Sequence, residues 1–434
     1  MSNQFAKAWW PLLTKNSKHN WWEKFNQLLI LLTVISFTNN LFLKLNTNQA
    51  YITGLLSDYL IPKIYCFDLL LVLNFFIFLF SKKNYLISKK NKIKLKKIDY
   101  LILFLSVIFL INQLLNFNLN LFFFILRFGL ILIFIFASAT NQKNQKYLYQ
   151  GLLISIVWQS ALAYYQFIYQ KSVAPYYLFG ETNLQHFANI SRAQFLNIEK
   201  ILPYGSTAHP NILAGIISIF SILAIDKLQE KKWLKILLLS NALIICLMTQ
   251  SLAAFLTVSS YLIYLVIKKI NKNKNKISIK WQKIFNLILM LFFVLSPVLI
   301  KQIALASADH QLSISRRVML NDAAWQMFLA KPIFGVGYQN FLRELETYSQ
   351  SQEAVRFVQP VHHLGLLLIS EGGLLIGLVL VLLAYKFNKR LNWSKLLMLS
   401  PIASLDHYLI TQPVGLFALC LFIVLTRNRN LRRT

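Results

Sequence analysis

Acidic residues are scarce in this chain: 15 Asp and Glu stand against 45 Lys and Arg among 434 residues, a formal charge of +30. Charged residues of both signs make up only 14% and apolar ones 56%, which excludes an ordinary soluble protein of this length. Cysteine is rarer still. Cys66, Cys246 and Cys420 stand apart in or beside apolar stretches, without metal-like spacing or an evident pairing, and read as packing residues. We find no internal repeat, no soluble domain and no linker between two bundles. A cleavable signal is also missing, because the start is polar and carries the pairs Trp9/Trp10 and Trp21/Trp22. Such pairs suit an interfacial segment ahead of a first span that serves as its own anchor.

What the chain has in abundance is long apolar runs, at 26–43, 64–81, 99–117, 118–138, 150–169, 210–227, 232–248, 251–267, 284–300, 362–384, 395–411 and 413–426. Each is near the ~20 residues that cross a bilayer, so the expected fold is an all-α polytopic bundle of about twelve transmembrane helices. Lysines crowd two short connections that lack acids. Lys82, Lys83, Lys89, Lys90, Lys92, Lys94, Lys96 and Lys97 fill one, and Lys268, Lys269, Lys272, Lys274, Lys276, Lys280 and Lys283 the other. By the positive-inside bias these face the cytoplasm, with 228–231, 385–394 and both termini, while the long loops 171–208 and 302–360 face outward. The cations then meet anionic lipid headgroups, and nucleic acid is not an expected partner.

The expected organisation is a cytoplasmic segment 1–25, scaffold helices 26–149, a chemistry-bearing region 150–426 and a basic cytoplasmic tail 427–434. The polar connection 139–149 divides front from back. Four features stand out. Arg127 lies within an apolar span, where a cation is either functional or paired with a structural acid such as Asp406. His209-Pro210-Asn211 starts an apolar helix with proline at the first helical position, so His209 caps a helix whose N–H groups suit a phosphate; an ordinary solvent-facing helix start is the plainer reading. Ser315-Arg316-Arg317 opens an amphipathic stretch, 314–330, that Lys331-Pro332 stops and Gly335 and Gly337 follow. Its guanidinium groups suit phosphate oxygens, or simply headgroups. Finally, Gln359-Pro360-Val361-His362-His363 precedes a span with Ser370-Glu371-Gly372-Gly373. His362 offers a group titrating near neutrality, whereas Glu371 lies about 180° round the helix and roughly 13 Å deeper, and is expected to bond a neighbouring helix.

Taken in order, His-Pro-Asn, Arg-Val-Met-Leu, Lys-Pro-Ile-Phe-Gly-Val-Gly-Tyr-Gln-Asn-Phe, Gln-Pro-Val-His and Glu-Gly-Gly resemble the O-antigen ligase family over roughly 150–425. That family of membrane glycosyltransferases includes polysaccharide polymerases and bacterial O-oligosaccharyltransferases. Asp406-His407-Tyr408 adds to the likeness. The resemblance implies glycan transfer from a polyprenyl-diphosphate carrier to an acceptor hydroxyl on a lipid, glycan or protein, without metal or nucleotide, at the outer face of the cytoplasmic membrane of a bacterium. It implies Arg317 on the leaving diphosphate, shared with Arg316, and His362 as base or diphosphate ligand. His209, Asn211, Arg127, His363, Asp406 and His407 are further candidates for binding substrate.

Two positions depart from the family. His363 stands where asparagine is usual, and Thr249-Gln250-Ser251-Leu252 occupies the turn where Ser-Arg is expected. Arg316, Arg127 or Arg192 would have to replace that arginine; otherwise the chain is a weak or noncatalytic relative in envelope assembly. A transporter or lipid flippase is the competing class, expected to show repeated halves and a midplane polar site.

Overall fold

The computed structural model describes residues 15–45, 48–52, 54–82, 97–115, 118–176, 179–186, 190–228, 231–271, 276–306, 312–349, 351–356 and 358–427. Trp9, Trp10, the lysines from 83 to 96, Lys272, Lys274 and the tail 428–434 lie outside them. The long helices are α1 (Lys15–Ser36), α2 (Cys66–Lys82), α3 (Lys97–Leu115), α4 (Leu119–Thr140), α5 (Gln142–Tyr169), α6 (Pro210–Lys227), α7 (Lys232–Thr249), α8 (Leu252–Asn271) and α9 (Lys276–Ala306). The chain continues through α10 (Leu312–Ala330), α11 (Phe341–Tyr348), α12 (Gln352–Arg356), α13 (Leu364–Phe387), α14 (Trp393–Leu397), α15 (Ser400–Leu405), α16 (Tyr408–Thr411) and α17 (Pro413–Thr426). Among the described residues eight helices are long and apolar enough to cross a membrane, namely α3 to α9 and α13, and α2 and α17 carry shorter apolar stretches. The fold is an all-α polytopic bundle.

Three antiparallel pairs of short strands decorate the connections: β1 (Phe42–Lys44) with β4 (Lys63–Tyr65), β2 (Tyr51–Ile52) with β3 (Leu55–Leu56), and β5 (Arg192–Phe195) with β6 (Ile198–Ile201). Helix α6 lies at the centre, with the residues from Ile212 to Ile225 all buried. It is apolar all round, as a helix enclosed by others must be. Phe417 of α17 stacks on Phe37 at 3.8 Å between ring centroids and also meets Phe134 and Phe220. One core thus draws on both sides of residues 139–149.

Three expectations need correction. The helix expected at 26–43 runs over Lys15–Ser36 instead, because Thr38, Asn39 and Asn40 leave the helix; the Asn40 N–H donates to the carbonyls of Phe179 and Ser206. The connection 139–149 shrinks to Asn141, whose side chain caps α5 by accepting from the Lys143 N–H at 3.0 Å. Gln and Lys are good helix formers, so the rest of that segment joins α5. The apolar stretch 395–411 is not one helix. Pro401 and Pro413 start new helices, Gln412 before a proline is extended, and Asp406 turns the chain by accepting from the His407 N–H at 2.8 Å.

The bundle has two unlike ends. At one, acids meet lysines in the pairs Glu23–Lys143 (2.9 Å), Asp99–Lys386 (2.6 Å) and Asp226–Lys395 (2.6 Å). At the other, segments 37–65, 171–208 and 312–362 gather around the broken stretch 406–412. Asn118 Nδ2 donates to Asn340 Oδ1 at 3.0 Å, Asn120 Nδ2 to the Leu60 carbonyl at 2.7 Å, and the Tyr59 ring meets His407.

Candidate active site

The loop after α10 is fixed by a break in α13. Gly373 leaves helical geometry at φ 63°, which costs α13 the bonds that Leu374 and Leu375 would give to Ser370 and Glu371. All four groups turn to the loop instead. The Leu374 and Leu375 N–H groups donate to Pro332 and Ile333 at 2.8 and 3.1 Å, while the Ser370 and Glu371 carbonyls accept from Val336 and Gly337 at 2.9 and 3.0 Å. A bilayer tolerates a broken helix only where backbone groups are satisfied in this way. Two glycines make the approach possible: a Cβ on Gly335 (φ 67°) would lie 2.4 Å from the Glu371 carbonyl carbon, and one on Gly373 2.3 Å from the Ile333 oxygen. The Glu371 carboxylate accepts from the Phe341 N–H at 3.2 Å and also takes the Gln339 N–H, so its partner is the start of the short helix α11. This lock holds α10, which carries Arg317, against the start of α13, which follows His362.

Four of the histidines at this end are separated by their hydrogen bonds. His209 caps α6, its Nδ1 accepting from the Asn211 N–H at 3.2 Å with Nε2 3.4 Å from Ser191 Oγ. His363 caps α13, its Nδ1 accepting from Leu366 N–H at 3.0 Å while Nε2 donates to the Phe293 carbonyl at 2.9 Å. His407 Nδ1 lies 2.6 Å from Thr411 Oγ1. His362 has no hydrogen bond on either ring nitrogen among the described residues, although its Nδ1 is buried. Its ring meets that of His407 at 5.1 Å and 69°.

Electrostatics tie Arg317 to this group. Burial, then the nearby His407, Arg317 and His209, holds the His362 imidazolium well below its usual range, so the ring is neutral near pH 7. Burial lowers His209 too, with Asp406 opposing. Burial also lowers Arg317 and Asp406 again opposes, yet an arginine stays charged at any physiological pH. Arg317 has no ion pair among the described residues. Asn211 Nδ2 reaches Asp406 Oδ2 at 3.4 Å. Arg317, His209, Asn211, His362, Asp406 and His407 therefore share one site.

The other candidates stand elsewhere. Arg127 is not paired with Asp406: its Nε and Nη2 donate to Asp68 Oδ1 and Oδ2, each at 2.8 Å, and Nη2 also to the Lys63 carbonyl at 2.9 Å. Arg192 pairs with Glu199 at 3.1 Å on the β5–β6 hairpin. Neither is placed to replace an arginine at Gln250, which ends α7 in the left-handed region with its side chain exposed. His363 is buried and engaged at both nitrogens, so the expectation that it binds substrate gives way to a capping role. Arg316 neighbours Arg317 on α10, about 100° round the helix.

Sequence reading missed Tyr59. It lies in the connection between the first two helices, a stretch without histidine whose Gly54 and Pro62 read as ordinary turn residues, yet its ring packs 5.4 Å from that of His407. Burial, then the carboxylates Asp406 and Asp58, holds its phenol above the usual range.

Residues 236–382 match the family model of O-antigen ligase. That part of the chain is an O-antigen ligase-like region. No curated protein matches it. The O-antigen ligase match spans α7 to α13 and so contains the Gly335–Gly373 lock, Arg317 and His362, whereas His209, Asp406, His407 and Tyr59 are added from outside it. The protein is a multi-pass membrane protein whose family role is glycosyltransferase-like, in polysaccharide assembly.

Proposed function

We propose that this protein moves a glycan from a polyprenyl-diphosphate carrier to an acceptor hydroxyl at the outer face of the cytoplasmic membrane, with both termini cytoplasmic and without a metal or nucleotide. One observation carries this reading: within an O-antigen ligase domain, a cation with no ion pair, Arg317, stands beside His362, whose ring nitrogens have no hydrogen bond among the described residues. Fixed positive charge is what a departing diphosphate requires, because charge grows on it as the glycosidic bond breaks.

The acceptor oxygen bonds to the anomeric carbon, the carbon–oxygen bond to phosphate breaks, and the diphosphate leaves with the electron pair on the Arg317 side. The acceptor proton goes to His362, which is neutral in the empty site and gains basicity when a diphosphate settles nearby. The positive end of the α6 dipole, whose first N–H groups are already taken by the His209 ring and carbonyl, adds further positive potential.

The test uses isolated membranes supplied with the host's polyprenyl-diphosphate glycan, following donor loss and product formation. Arg317→Ala is expected to lose ~10²-fold or more, as removal of preorganised charge does. Arg317→Lys recovers little, because an ammonium cannot fork onto two oxygens. Full transfer by the lysine variant reduces α10 to a headgroup anchor and overturns the reading.

A further inference from the structure

Beside the histidines lies an open cleft that the mechanism above does not use. Tyr59 and Thr411 line it, and Thr411 is the residue bonded to His407, so the cleft opens against the wall of the proposed reaction centre. Gln339, Gln412 and Phe124 line it as well.

Its cations are already paired. Lys63 is bonded to Asp58, and Arg127 is forked onto the two oxygens of Asp68, each at 2.8 Å; Lys44 shares Asp58 at 3.1 Å without lining the cleft. An anion would have to break these pairs. By contrast the side chains of Tyr59, Gln339 and Gln412 have no hydrogen bond among the described residues, so their donors and acceptors are unspent. Gln339 is moreover held in the left-handed region at φ 63°, unusual for a residue with a Cβ, by the bond from its N–H to Glu371. Backbone strain of this kind collects at binding sites. Aromatic faces with unspent amides and a phenol, beside cations that are already paired, suit a hydroxyl-rich neutral ligand.

We propose that this cleft is the acceptor subsite and that it takes the neutral end of a glycan, kept apart from the cationic Arg317 compartment by Tyr59, His407 and Thr411. This rests on the transfer reading given above. The division has a chemical logic: the donor brings two phosphates and needs uncompensated cations, whereas the acceptor brings only hydroxyls and is best recognised where cations are already satisfied.

The experiment measures binding, not turnover, with the full-length protein in lipid nanodiscs. One probe is the neutral fraction of oligosaccharides released from the host's envelope polysaccharide, read by saturation-transfer NMR. The other is inorganic pyrophosphate. Gln412→Trp fills the cleft from an extended backbone position and is expected to weaken oligosaccharide binding at least tenfold while leaving pyrophosphate unaffected. Arg317→Ala does the reverse. Tyr59→Phe, which keeps the ring on His407 and deletes one hydroxyl, weakens oligosaccharide binding several-fold and guards against misfolding of the bulkier variant. The proposal is overturned if wild type binds no neutral oligosaccharide, if binding survives Gln412→Trp, or if Arg317→Ala abolishes it. Should the binding pattern hold while membranes transfer no glycan, the transfer reading fails and the sugar site stands.

Discussion

Arg127 and Arg317 are both arginines in apolar surroundings, and the structure treats them oppositely. Arg127, in the middle of α4, has both oxygens of Asp68, a backbone carbonyl and the Tyr65 ring 5.0 Å away. Arg317, on α10, has no ion pair among the described residues and faces histidines whose protonation it opposes. A cation in a membrane protein therefore does not announce a substrate site by its depth. Its partners decide. Arg127 is a structural clasp between α4 and the start of α2, where Asp68 also accepts the Tyr65 N–H at 2.9 Å, and Arg317 is the charge left over for a ligand.

The sharpest way to break this contrast is at the histidine beside Arg317. His362→Ala is expected to cut transfer by about 10²- to 10⁴-fold, the range for loss of a general base, at unchanged membrane abundance. No backbone group depends on that ring, so the protein folds without it. Retained transfer in this variant would move the proton acceptor to another residue, with His407 next in line because the two rings touch.

Arg127 gives the opposite signature. With the side chains of Arg127 and Asp68 only 11% and 16% exposed, Arg127→Ala leaves a buried carboxylate alone and is expected to cost about 3–5 kcal/mol in stability. Membrane abundance and detergent melting read this directly. Replacing both partners, Arg127→Met with Asp68→Leu, restores most of the loss. If the double variant stays as unstable as Arg127→Ala, the pair is no clasp and the comparison collapses.

The sequence made the spans readable because a bilayer imposes one rule on every crossing segment, and alternating lysine clusters and apolar runs record it. Most expected spans lie on helices within a few residues. Where the reading slipped, local polar chemistry overrode apolar content: Asn141 caps and erases a connection, and Asp406 with two prolines divides a stretch that composition alone presents as one span. Partners were a different matter. Asp68 lies 59 residues from Arg127, and only tertiary contact shows the pairing. The two glycine motifs were visible as separate signals, but that Gly335 and Gly373 exchange backbone bonds across a broken helix is a property of the docked loop. Tyr59 had no signal at all, since one tyrosine in a polar connection looks like any other.

The smallest expected effect concerns His363, and it tests whether hydrogen-bond bookkeeping separates the two adjacent histidines. His363 serves the backbone twice. Pro297 lacks the N–H that would bond to Phe293 four residues earlier, so that carbonyl turns to His363 Nε2 and to Ser296 Oγ at 3.2 Å. The same ring accepts the Leu366 N–H through Nδ1, which fixes the proton on Nε2 and requires a neutral imidazole. Burial lowers the His363 imidazolium below its ordinary 6.5, consistent with that role. The sign of the pH effect follows. Unfolded chains take up a proton at this position near 6.5 while the folded protein resists it, so the contribution of His363 is complete above that pH and declines as pH falls below it. His363→Ala is expected to lose about 0.5–2 kcal/mol at neutral pH, the usual worth of a cap. His363→Asn keeps a capping oxygen, loses less, and removes this residue's share of the decline below pH 6.5. Thermal melts of the three proteins across pH 5 to 8 decide it: if Asn and Ala destabilise equally and the decline persists, the cap is immaterial and the ring's remaining service is to the Phe293 carbonyl.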